Sequence, residues 1–143
     1  GRYFMKIKNF IDNNGLKEKV FLHGYYKIDY MPYFLKKADM LFLCLKDKEI
    51  FKKTTPAKLQ AYMACSKPIS AMISGESNNI LKSYNSGFVV NSGEYQKFAN
   101  KLIKFSKISK STKEKIGINN RQYYENNYSF KRRKKDLLNF LKN

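Results

Sequence analysis

A chain of 143 residues with 43% hydrophobic content and 22 aromatic side chains (11 Tyr, 11 Phe) is long and apolar enough for one folded domain with a real core, which excludes disorder. It holds no apolar run near the roughly 18–20 residues of a transmembrane helix, and with only Cys44, Cys65 and His23 as thiols and imidazole it excludes a zinc site or disulfide scaffold. The net charge of +18 points to anionic partners: nucleic acid, acidic lipid or phosphorylated small molecules.

The first residues, Gly-Arg-Tyr-Phe-Met-Lys, lack the layout of a signal peptide and, without an initial methionine, read as the start of an internal piece of a longer chain. Residues 2–14 read as a helix, with Phe4, Ile7 and Ile11 near one face and Phe10 flanking it. Asn13-Asn14-Gly15 is a stop signal, and Leu16 a hydrophobic closure. Residues 19–23, Lys-Val-Phe-Leu-His, are expected as a short strand ended by Gly24. His23 at its end reads as structural or partly exposed. Asp29 is placed to cap a helix with Pro32 in its first turn, running to about Lys37. Residues 40–45, Met-Leu-Phe-Leu-Cys-Leu, form a second strand, apolar throughout, which makes Cys44 a core residue.

A polar loop over 46–55 follows, then a helix over 56–65. Thr54 and Thr55 can cap that helix, and Pro56 fits its first position, where a missing N–H costs nothing. Its free N–H groups, with Lys53 and Lys58 nearby, make a seat for a phosphate or diphosphate; the alternative is an ordinary capped helix with solvated lysines. Residues 69–73 form a third strand. Gly75-Glu76-Ser77 is a turn, 78–83 a short helix, and 88–90 a fourth strand. From Glu94 the period is helical: Phe98 and Leu102 pair at i,i+4, beside Ile103 and Phe105. Ser111, with Glu114 three residues on, caps a more polar helix through about 126. Ser129 caps a last helix, in which Leu137, Leu138 and Leu141 form an apolar strip.

Four strands alternating with helices give an α/β class: a Rossmann-like parallel sheet with helices on both faces. Ligands of such sheets sit beyond the carboxyl ends of the strands. Gly24-Tyr25, the 46–55 loop and Gly75-Glu76-Ser77 all follow strands and are expected to converge on one rim. The chain has no GxGxxG, P-loop, HExxH or GxSxG motif, and no residue identifies itself as catalytic.

The order of five segments resembles the C-terminal domain of a retaining GT-B glycosyltransferase of the large family 4 type. Val20-Phe21-Leu22-His23-Gly24 resembles that family's strand ending in glycine. Tyr33 through Ala38-Asp39-Met40 resembles its Tyr-x-x-Ala-Asp segment, and the block from Pro56 to Ile69 its helix ending in Met-Ala-x-Gly-Lys-Pro. Ser86-Gly87-Phe88-Val89-Val90 resembles its Asn-Gly-x-x-Val strand, and Asn127-Tyr128-Ser129-Phe130 the junction before its last helix. The closest flavour is the branch that builds bacterial surface polysaccharides, lipopolysaccharide among them.

The resemblance implies sugar transfer from a nucleotide-sugar donor with retained anomeric configuration, no cofactor and no essential metal. It makes residues 1–143 a single nucleotide-sugar-binding domain, with 111–143 as its C-terminal helices, in the C-terminal half of a GT-B fold lacking its first strand. Gly1 would be the remnant of the glycine-rich turn that ends that strand. By position, Gly24 and Tyr25 would lie near the base, and Lys53, Thr54, Thr55, Pro56 and Lys58 at the diphosphate. The family's Glu-x7-Glu motif falls on Lys53 and Ala61, so neither carboxylate is present; Glu76, and secondarily Glu49, are the substitutes on the same rim for holding ribose. The acceptor-binding N-terminal domain lies outside the chain, which alone is expected to be inactive. The implied location is cytoplasmic or peripheral on the inner face of the plasma membrane, with Lys131, Arg132, Arg133, Lys134 and Lys135 a candidate contact for acidic lipid. A basic non-catalytic module for nucleic acid or acidic lipid is the alternative. It would need aromatics interleaved with basic clusters on one exposed face, whereas most aromatics here fall in strands or on apolar helix faces.

Overall fold

The computed structural model describes residues 3–142. Gly1 and Arg2, expected as a turn remnant and as the start of the first helix, lie outside them. The chain forms two compact units that divide after Met31. Among the described residues, no helix is long and apolar enough to cross a membrane.

The first unit is built on helix α1 (Phe4–Asn13). The stop signal works as the sequence implied: the backbone N–H and the side chain of Asn14 both donate to Phe10 O (3.2 and 2.8 Å), and Leu16 N–H closes on Ile11 O at 3.0 Å. The strand expected over 19–23 does not form, and the chain from 20 to 27 is irregular. No strand among the described residues supplies it with a ladder, and backbone pairing is what holds an extended segment in place. Asp29 does not cap a helix either. It lies inside a short 3₁₀ turn, Ile28–Tyr30, that runs straight into α2 (Met31–Lys37).

The second unit holds a sheet of three parallel strands in the order β1 (Leu41–Cys44), β2 (Ile69–Met72), β3 (Gly87–Val90), one fewer than the sequence implied. Leu43 pairs with Ala71 and Ala71 with Val89, so these residues share one face. Adding strands always in the same direction through crossovers of one hand puts both crossover helices on one side. These are α4 (Ala57–Ala64) and α5 (Glu76–Ser83). Leu59, Met63 and Leu81 from them close the core over Leu43, Ile69, Ala71 and Val89. Tyr62 also donates its hydroxyl to Phe42 O at 3.2 Å, which fixes α4 against β1.

The opposite face is covered by α6 (Tyr95–Ser106). Its Phe98 ring lies 4.8 Å from Phe42 and 5.1 Å from Phe88, and Phe105 lies 5.6 Å from Phe88. Leu102 and Ile103 stay exposed, so Phe98 and Phe105, seven residues apart, form the inward row rather than Phe98 with Leu102. Cover is incomplete over the edge strand: Phe42 is 50% exposed, and Cys44 is exposed rather than in the core. The alternating burial of β1 is that of a strand with one covered face.

Helix α7 (Lys110–Asn127) is capped by Ser109, whose Oγ accepts from Thr112 N–H at 3.1 Å; Ser111, the expected cap, is already helical. Gly117 lets α7 approach the turn after α4 closely, since a Cβ there would collide with Ser66 O. The buried Asn120 amide donates to Lys67 O (2.8 Å) and Ser86 O (3.0 Å), tying α7 to the chain entering β2 and β3. Ser129 caps α8 (Phe130–Phe140) as expected, accepting from Arg132 N–H at 3.3 Å. Leu137, Leu138 and Leu141 are exposed.

Candidate functional site

Three parallel strands deliver the chain to one rim at their carboxyl ends. From β1 the chain passes through α3 (Glu49–Lys52), a short helix inside what the sequence presented as a plain polar loop. Thr54 donates its hydroxyl to Ile50 O at 2.9 Å, so it closes α3 and does not cap α4. Thr55 does not cap α4 either. Pro56 itself is the extended N-cap residue, and α4 begins at Ala57. The N–H groups of Ala57 and Lys58 therefore have no acceptor among the described residues, while Leu59 N–H turns back to Pro56 O at 2.9 Å.

From β2 the chain enters α5 through Gly75, at φ +83°, ψ −151°, a conformation essentially confined to glycine. Glu76 and Ser77 are the first turn of α5 rather than a separate turn. A Cβ on Gly75 would collide with the backbone of Lys52, so α3 sits directly against the start of α5. Ser77 fastens the two, donating its hydroxyl to Thr54 O at 3.2 Å. The start of α5, like that of α4, has no side-chain cap.

Lys53, Thr54, Thr55, Pro56, Lys58 and Glu76 are thus gathered at one rim, around two helix N-termini whose dipoles and N–H groups favour negative charge. Lys53 and Lys58 are exposed there. Lys52 is not available in the same way: it pairs with Glu49 (2.8 Å) and Asp47 (3.1 Å), and these hydrogen bonds, Glu49 first, hold its ammonium above the ordinary lysine range. Glu49 is therefore engaged in an ion pair, whereas Glu76 makes none among the described residues. Ala61 is exposed on α4, four and three residues beyond Ala57 and Lys58 and so on their face.

Gly24 and Tyr25 belong to the first unit. Gly24 adopts φ +77°, and Tyr25 is 91% exposed. The strand expected to lead into them is absent, so the topological reason for assigning them to the rim does not apply. His23 is exposed as well.

Two features were not foreseen from the sequence. One is the Gly75–Lys52 contact, visible in the sequence only as a glycine after a strand. The other is the buried Asn120 bridge, for which a polar residue in a polar helix gave no signal.

No curated protein and no solved structure matches the chain. The profile of the family described as glycosyl transferases group 1 matches residues 1–123. With its Rossmann-like parallel sheet flanked by helices, the chain belongs to that family and is a glycosyltransferase domain of the GT-B type.

Proposed function

We propose that this domain binds the nucleotide-sugar donor of a retaining glycosyltransferase of family 4 type, acting in the synthesis of a bacterial surface polysaccharide. The observation that carries the proposal is the rim where α4 and α5 both begin without a side-chain cap, flanked by Lys53 and Lys58. A nucleotide sugar reacts by losing a nucleoside diphosphate, and negative charge grows on the leaving phosphate oxygen. Fixed N–H groups and lysines aimed at that oxygen stabilise the developing charge without having to reorganise. In this reading Ala57 and Lys58 N–H, the first turn of α5 and the two ammonium groups hold the diphosphate, so no metal ion is needed. Glu76 is the candidate partner for ribose hydroxyls. The acceptor is held by a second, N-terminal domain.

Titration of the chain with UDP, GDP and a random oligonucleotide tests this. Saturable binding of a nucleoside diphosphate, weakened by Lys58→Ala, is expected. Binding of the oligonucleotide alone, with a steep dependence on salt, would sink the proposal and favour the nucleic-acid module.

A peripheral position on the inner membrane face fits the start of α8. Lys131, Lys134 and Lys135 make no ion pair among the described residues, and Phe130 beside them is 83% exposed. Arg132 pairs with Asp136 (3.1 Å), and the Arg133 guanidinium lies 5.5 Å from the Tyr128 ring. Basic groups near an anionic bilayer contribute about 1 kcal/mol each. Lys131→Ala/Lys134→Ala/Lys135→Ala should therefore release the chain from phosphatidylserine vesicles in a sedimentation assay.

A further inference from the structure

In a chain with 29 Lys and Arg residues, one open cavity of about 540 Å³ is lined without a single charged side chain. It lies where the C-terminal end of α5 meets α7. Ser83 ends α5, Tyr84 and Asn85 follow it, and from α7 come Asn119, Gln122, Tyr123 and Asn126. The α7 residues follow the spacing i, i+3, i+4, i+7, so they form one row on one face of the helix. That spacing normally marks an apolar, buried stripe; here it carries amides and a phenol.

The two charged residues within the span of this row, Arg121 and Glu125, are paired with one another. Arg121 donates to Ala64 O, forms an ion pair with Glu125 and stacks 5.5 Å from the Tyr124 ring. The amides of Asn119, Gln122 and Asn126 make no hydrogen bond among the described residues, so their donors and acceptors are open to a ligand. The Tyr84 and Tyr123 rings lie against one another, with centroids 4.2 Å apart and planes at 58°. They form a corner, not the parallel slot that would sandwich a flat base. Burial first, then the hydrogen bond with Tyr128, pushes the Tyr123 phenol well above its ordinary value, so it stays neutral.

We propose that this cavity is a second binding site, for a neutral saccharide chain. A pyranose offers hydroxyls that both donate and accept, which amides match in pairs, and a C–H face that settles on an aromatic ring. The volume is within the usual range for small-ligand sites, about 300–1,000 Å³. A phosphorylated ligand is disfavoured, because no cation lines the site. The donor rim lies at the other end of α5, an eight-residue helix that spans about 12 Å at ~1.5 Å per residue. The site goes beyond the donor reading and does not depend on it.

Maltohexaose, cellohexaose and chitohexaose, titrated into the intact chain and followed by amide NMR shifts and calorimetry, provide the test. At least one should bind with a Kd on the order of 1 mM or tighter, shifting the amides of residues 83–85 and 119–127. Gln122→Ala/Asn126→Ala should weaken it tenfold or more while leaving UDP binding unchanged. Tyr84→Ala, at a side chain that is half exposed, should do the same and guards against misfolding of the first variant. The proposal is overturned if none of the three binds, if binding survives both variants, or if uridine rather than a saccharide shifts these amides.

Discussion

Gly75→Ala separates a site built by close backbone approach from one that merely lies near it. Two costs can be worked from the structure. The backbone at φ +83°, ψ −151° is in a region that side chains avoid, at about 1–3 kcal/mol. The new methyl also meets the carbonyl oxygen and Cα of Lys52, and such overpacking costs about 1–3 kcal/mol. The total, about 2–6 kcal/mol, is a large share of the ~5–15 kcal/mol of an ordinary domain. In urea, at a slope of about 2 kcal/mol per molar, the unfolding midpoint should fall by on the order of 1–3 M. The cheapest relief is to move α3 outward, which breaks the Ser77–Thr54 hydrogen bond and shifts Lys53 away from α4. Nucleoside diphosphate affinity should therefore fall along with stability. Ser77→Ala is the control: it removes one hydrogen bond, worth about 1 kcal/mol, and leaves the backbone where it is. A Gly75→Ala chain with unchanged midpoint and unchanged affinity would refute both the contact and its link to the rim.

Three further outcomes follow from named groups. Asn120→Ala removes two hydrogen bonds from a fully buried bridge and should cost about 2–3 kcal/mol in urea unfolding without altering nucleotide affinity beyond that instability. Lys53→Ala and Lys58→Ala should each weaken UDP binding about three- to fivefold at low salt, as exposed charges do, and the difference should shrink toward 1 M salt. Glu94 is held below the ordinary carboxylate range by Lys97 first and then by Asn91 N–H. A carboxylate with a lowered native pKa stabilises the fold above its unfolded value of 4.5, and that contribution disappears as pH falls through the native value. Glu94→Gln should therefore flatten the acid limb of thermal stability below about pH 4.5 and leave its slope near pH 7 unchanged.

What the sequence made legible follows the physics of each element. β1, β2 and β3 were readable because each is a short, mainly apolar run bounded by turn residues, a signature β1 keeps although only one of its faces is well covered. Residues 19–23 carry the same run but have no partner for their ladder among the described residues, and hydropathy says nothing about partners. Ser129 and Ser109 are both side-chain caps, yet only Ser129 was identified. Near 110 two serines precede the same helix, and the one with Glu three residues on looked like the better box. Thr54 shows the same ambiguity between closing one helix and capping the next. At the rim, the cluster around Pro56 was legible because proline and lysine declare themselves locally. Gly75 and Glu76 were placed on the rim by their position after a strand, whereas the contact of Gly75 with Lys52, 23 residues away in the chain, leaves no local trace.

Ala61 turns the donor reading into a gain-of-function experiment. In the resembling family, a glutamate at this position holds the ribose, and here the side chain ends at a methyl. If α4 is the donor helix, the geometry needed by that glutamate is already present. Ala61 is exposed and lies one turn beyond Ala57 and Lys58 on the same face, while Leu59 and Met63 face the core. Ala61→Glu adds a flexible, helix-compatible side chain with no core to disturb, so stability should stay within about 0.5 kcal/mol. A carboxylate accepting from ribose hydroxyls is a charge-assisted bond worth about 1.5–3 kcal/mol. UDP or GDP should therefore bind on the order of tenfold tighter to the variant. Inorganic pyrophosphate, which has no ribose, should bind slightly more weakly because a negative charge has been added near the rim. That opposite response distinguishes ribose recognition from a general electrostatic change. Equal weakening of both ligands would mean that α4 presents its N-terminus to something other than a nucleotide, and the donor assignment of this rim would fall.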